Sequence, residues 1–135
     1  MHRRKVGRLA WFHAFVLGLS ATVLLPGCRS LQAYDGSRPR SEIAKIIGNM
    51  RLTAGEPVSV VIRRVDDTDV GLTYNSVSVL PGPHSLLIDC TVTESKATSR
   101  HHLTVNVEAG ATYRLVASTR PGNRECADVQ AVSVN

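Results

Sequence analysis

From residue 43 onward, apolar and polar positions alternate in short runs. Val58, Val60 and Ile62 alternate with Ser59, Val61 and Arg63, and Leu86, Ile88, Cys90 and Val92 with Ser85, Leu87, Asp89 and Thr91. Leu103, Val105 and Val107 alternate with Thr104, Asn106 and Glu108, and shorter runs of the same kind cover 76–79, 113–117 and 129–134. A period of two puts successive side chains on opposite faces of a half-buried strand. The breaks carry turn residues: Asp66-Asp67-Thr68-Asp69, Pro81-Gly82-Pro83, Ala109-Gly110 and Pro121-Gly122-Asn123. With the apolar run 43–47 included, the pattern predicts about seven strands. Their spacing leaves no room for crossover helices, so an all-β, mostly antiparallel β-sandwich is expected over 43–135. The first and last strands, 43–47 and 129–134, are expected at sheet edges, with Lys45 the one charge in the first and none in the second; the alternative is that they pair with each other or are covered.

The N-terminal stretch has a different pattern. Arg3, Arg4, Lys5 and Arg8 precede a run, 9–25, whose only polar interruptions are His13, Ser20 and Thr22. Positive charge followed by an apolar segment is the order of a secretory signal peptide. A bilayer span needs about 20 apolar residues, and Gly18 and Pro26 weaken this run as a spanning helix. The run closes on Leu25-Pro26-Gly27-Cys28, which resembles the lipobox of bacterial lipoproteins. That resemblance implies a signal helix over 1–27, cleavage before Cys28, and diacylglycerol and palmitate on Cys28 as the new N-terminus. Two or three acyl chains hold a protein on a membrane where one does not. In Gram-negative lipoproteins an Asp after the cysteine signals retention at the inner membrane, so Arg29 implies the periplasmic side of the outer membrane. Residues 29–42 are polar and contain Gly36 and Pro39, a composition suited to a tether, so 28–42 is expected to link lipid to domain.

The signal also accounts for the charge. The formal +5 comes from 16 basic and 11 acidic side chains. Four of the basic ones lie in the first eight residues, where there is no acid, which leaves 12 against 11 and a net of +1. A balanced domain lacks the basic surface that displaces counterions from phosphates, so no nucleic-acid partner is expected.

Leu80-Pro81-Gly82-Pro83-His84, followed by Ser85-Leu86-Leu87-Ile88, resembles the turn and strand of PEGA-type domains and of small β lipoproteins. Ala33-Tyr34-Asp35-Gly36 before Glu42-Ile43-Ala44, and Glu108-Ala109-Gly110 ahead of Tyr113, are similar to segments of the same lipoproteins. The resemblance implies a compact extracytoplasmic β domain that serves as an accessory module and not as an enzyme.

Chemistry-bearing residues are few. Cys90 and Cys126 are the cysteines left once Cys28 is lipidated, and a pair outside the cytoplasm reads as a structural disulfide. The alternative, a redox-active thiol, usually brings a CxxC pair or a neighbouring base. His101 and His102 are adjacent on a strand and point to opposite faces. With His84 they leave no clear third ligand, so no metal is expected. Asp66, Asp67 and Asp69 lack the Gly and distal Glu of a calcium loop and read as a solvated hairpin tip. No GxSxG, HExxH or P-loop is present, and the serines lie on strand exteriors without a paired base, so no catalytic residue or cofactor is expected. Only Tyr34, Tyr74 and Tyr113 remain as aromatics after the signal, too few for a sugar-stacking face. The expectation is a non-catalytic lipoprotein that contacts another envelope protein. The alternatives are a small-ligand or metal-binding envelope module and a minor redox or hydrolytic enzyme.

Overall fold

The computed structural model describes residues 30–49, 57–122 and 124–134. The expected signal peptide, 1–27, and Cys28 lie outside the described residues. In chain order the strands are β1 (Ser30–Gln32), β2 (Ala44–Ile47), β3 (Val58–Val65), β4 (Thr68–Asp69), β5 (Ser76–Val79), β6 (Gly82–Val92), β7 (Thr98–Val107), β8 (Thr112–Thr119) and β9 (Cys126–Ser133). They form two packed sheets, one ordered β1-β5-β2-β8-β9 and the other β4-β3-β6-β7. The chain is an all-β sandwich.

The period-two runs became the strands they suggested. Along β6, Leu86, Ile88, Cys90 and Val92 are fully buried while Leu87, Asp89 and Thr91 are only half-buried. Ala44, Ile46, Val77, Val79 and Leu115 of the first sheet meet Val60, Ile62, Val65 and the β6 set of the second, all within 2 % of complete burial. The turn residues do what their chemistry allows. Asp66 takes φ +49° at the tip of the β3–β4 hairpin, and Gly82 takes φ +126°, a region that side chains avoid, just after Leu80-Pro81. Gly48 serves a different need. Here the chain leaves β2 and passes to the other sheet, where Asn49 exchanges both backbone hydrogen bonds with Val60 at 2.8 Å. A Cβ on Gly48 would stand 2.6 Å from the Val60 carbonyl oxygen, so the crossing requires glycine.

Two expectations are corrected. The segment read as a tether is part of the fold. Leu31 packs against the core, Ser30, Leu31 and Gln32 pair with Ser76, Val77 and Ser78 in parallel, and a short 3-10 turn, Arg40–Glu42, follows. Polar composition hid this strand because two of its three side chains face solvent. The strand expected at an edge, β2, is instead the centre of its sheet, antiparallel to β5 and parallel to β8. The expected, mostly antiparallel arrangement holds: among the described residues β1–β5 and β2–β8 pair in parallel and the other strand pairs are antiparallel.

Candidate functional site: the open side of the sandwich

The two lateral sides of the sandwich differ. On one, the sheets end in β1, three residues long, and β4, two residues long. On the other they end in β9, eight residues, and β7, ten residues. A short edge strand offers little for another strand to pair with, whereas a long one presents a row of backbone groups to a partner.

Which groups are presented follows from the ladders. In an antiparallel pair, opposite residues alternate between exchanging both hydrogen bonds and exchanging none. Val134 donates to the Thr112 carbonyl at 2.8 Å, which sets the phase of β9 on β8: Val132 and Gln130 bond inward, and the amides of Val129, Ala131 and Ser133 face the open edge. Val92 donates to the Ala97 carbonyl at 2.9 Å, so Ser99, His101 and Leu103 of β7 bond to β6. The amides of Arg100, His102 and Thr104 then face outward. Among the described residues no backbone partner meets them. Val116 and Val132, diagonal neighbours on the outer face next to this edge, are both about half exposed.

Between β7 and β9 a cavity of about 370 Å³ opens, lined by Thr98, Ser99, His101, Arg120, Glu125 and Cys126 among others. Cys126 in its lining belongs to a disulfide. Cys90 of β6 and Cys126 of β9 are joined with their Cα atoms 6.2 Å apart, stapling one sheet to the other. Both are buried, and thiol–disulfide exchange requires access for an attacking thiolate. Ser99 Oγ lies 2.9 Å from His101 Nε2, a pairing that was not foreseen. Residues i and i+2 on one strand share a face, so period two was the signal that could have shown it. Among the described residues no carboxylate pairs with His101, so the ring has no third group to orient it as a general base. Arg120 and Glu125 stand 3.8 Å apart at the exposed rim.

The other candidates lie elsewhere. His101 and His102 do face opposite ways, His101 toward the cavity and His102 toward solvent. His84 is a structural clamp at the far end of β6. Its Nε2–H donates to the Leu80 carbonyl at 2.7 Å, and Nδ1 stands 2.7 Å from Asp66 Oδ2. Asp66 Oδ1 accepts from the Ser85 amide at 2.9 Å, and the Asp66 amide donates to the Ser85 carbonyl at 2.8 Å. Leu80-Pro81-Gly82-Pro83-His84 is thus a turn closed by its own histidine and tied to the β3–β4 tip. Glu108 and Tyr113 make a second local closure, the Glu108 amide donating to the Tyr113 hydroxyl at 3.1 Å. Asp69 is paired with Arg64 at 2.8 Å. Among the described residues, no three of His, Cys, Asp and Glu converge as metal ligands would. On the outer face of the second sheet, Asp89 sits between Arg63 at 3.4 Å and Arg100 at 2.8 Å, which holds the Arg100 guanidinium further toward its charged form.

Burial opposes the charge of Asp66, but hydrogen bonds from His84 and Ser85, with the His84 charge, outweigh it and hold the carboxyl below the ordinary carboxylate range. A carboxyl whose folded pKa is lowered stabilises the fold above its unfolded value and loses that contribution as pH falls through the folded one. Asp66→Asn should therefore lower the urea midpoint at pH 6 by a modest amount, with the gap to the parent closing below about pH 4. A gap that stays constant down to pH 2 would show that the Asp66 charge contributes nothing.

Among the described residues no helix is long and apolar enough to cross a membrane. Comparison of the chain with protein-family models, with curated proteins and with solved structures found no match. The functional reading therefore rests on the N-terminal motif and on the geometry of the open side.

Proposed function

We propose that this chain is a membrane-anchored, non-catalytic envelope lipoprotein that binds an extended segment of another envelope protein along its β7–β9 side. The anchor is Cys28, on the strength of Leu25-Pro26-Gly27-Cys28 and the charged and apolar segments ahead of it. The observation that carries the binding role is the asymmetry of the edges: both long edge strands lie on one side and both short ones on the other. Strand addition gains affinity from backbone hydrogen bonds and specificity from neighbouring side-chain pockets. The β7 and β9 edges supply the first, and the cavity with Ser99 and His101 supplies the second. The buried disulfide and the Ser99–His101 pair, which no carboxylate joins among the described residues, support a binding role over redox or hydrolytic chemistry.

The test places proline where the ladder phase says it is tolerated. Thr104→Pro on β7 and Ala131→Pro on β9 each remove one outward-facing donor without breaking a bond to β6 or β8. Both variants should stay folded by circular dichroism, yet lose the partner captured by in-cell crosslinking of the parent protein. Val132→Pro is the contrasting control, because its amide bonds to β8. If both edge prolines retain the partner, or if the protein hydrolyses a substrate at a rate abolished by Ser99→Ala, the reading is wrong.

A further inference from the structure

We propose that the β1–β4 side of the sandwich, with Leu72 projecting from it, lies against the lipid bilayer, so that the β7–β9 side faces the aqueous compartment. This rests on the reading of Cys28 as the lipid anchor. The chain is tied into the sandwich at Ser30. Ser30 pairs with Ser76, the two hydroxyls of Ser30 and Ser78 are 3.2 Å apart, and the Ala33 amide donates to the Ser78 carbonyl at 2.9 Å. Cys28 is two residues earlier, and an extended chain advances at most about 3.6 Å per residue, so its Cα lies within about 7 Å of that of Ser30. A lipid at Cys28 therefore holds the β1 edge itself at the membrane, with no dozen-residue tether on which the domain could swing.

The sheet order then decides what faces away. Four strand spacings separate β1 from β9, roughly 19 Å at about 4.8 Å each. The side nearest the anchor also carries the most exposed of the large apolar side chains among the described residues. Leu72, 67 % exposed, stands in the 71–74 turn, closed by the Tyr74 amide donating to the Gly71 carbonyl at 3.0 Å. That turn runs from the edge strand β4 of one sheet into β5 of the other, four residues ahead of Ser76, the register partner of Ser30. A lone exposed leucine is ordinary on a soluble surface. Beside an acylated terminus it meets the headgroup boundary, where apolar side chains gain by burial. The edges on this side, three and two residues long, offer little to a protein partner.

The experiment uses the full-length, acylated protein in vesicles of phosphatidylethanolamine and phosphatidylglycerol containing a headgroup spin-labelled lipid. A single new cysteine carries an environment-sensitive fluorophore, at Thr73→Cys beside Leu72 or at Gln130→Cys on β9. Cys90 and Cys126 are bonded to each other and Cys28 is acylated on this reading, so none of the three competes for label. Quenching at position 73 should exceed that at position 130 several-fold. Equal quenching at the two sites, or stronger quenching at 130, overturns the orientation while leaving the anchor intact. Intact mass is measured on the same preparation, and an unacylated protein overturns the anchor reading and this proposal with it.

Discussion

Replacing Cys90 and Cys126 together with alanine should destabilise the domain by about 4 kcal/mol. The bond spans 36 residues, and opening it returns the loop-closure entropy to the unfolded chain, which is the main origin of that figure. The loss is large against the 5–15 kcal/mol that holds a typical domain folded. The structure adds a local reason. The disulfide joins β6 to β9 beneath the side where, among the described residues, neither sheet has a further strand, so breaking it lets β7 and β9 separate at the proposed binding edge. In urea the midpoint should fall by at least about 1 M. Parent protein reduced under denaturing conditions and refolded with its thiols blocked from reoxidation should behave similarly, without the small cavity that alanine leaves at buried Cys90. A loss below about 1 kcal/mol would show that the core alone holds the two sheets together and that the bond restrains little.

Ile46 should tolerate neither alanine nor proline. Truncation to alanine at a fully buried isoleucine costs about 3 kcal/mol, part in lost burial and part in the cavity left behind, and Ile46 has no exposed surface. Proline goes further. Because β2 is paired on both sides, with Val77 of β5 and Tyr113 of β8 opposite Ile46, a proline there takes a donor out of the middle of the sheet and forces strands apart. Ile46→Pro should give no cooperative unfolding transition, while Ala131→Pro, on the outward side of β9, unfolds cooperatively near the parent midpoint. If Ile46→Pro folds, then β2 is not the centre of the sheet.

Much of this architecture was legible before any coordinates. Alternation located β3 and β8 to within about two residues and most of β6, but only the second half of β7, whose first five residues it missed, because burial on one face imposes a period of two wherever a sheet has a dry and a wet side. Turn chemistry marked the Asp66-Asp67 tip and the Gly82 and Gly110 turns through residues that accept φ above zero. The partnership of Cys90 and Cys126 was readable from parity and cysteine number. The motif Leu80-Pro81-Gly82-Pro83-His84 was visible too, although its explanation, a histidine bonded to the first carbonyl of its own turn, needed the fold.

Strand neighbours and strand edges belonged to the tertiary structure alone. Backbone hydrogen bonds carry no side-chain identity, so nothing in the residues 44–47 says whether another strand lies on one side or both. β2 was expected at an edge because it comes early in the chain and ended at the centre, while Ser30–Gln32, read as tether, took the edge instead. Likewise β7 reads as one more alternating strand, and only the sheet order shows that no strand among the described residues covers its outer side. The asymmetry on which both proposals depend, long edges on one side and the anchor strand on the other, is a property of how the strands are shuffled. The sequence by itself determined which segments are strands and which faces are buried, because those follow from local geometry and water. Which surfaces remain open was decided when the strands chose partners, because that choice depends on the packing of the whole sandwich.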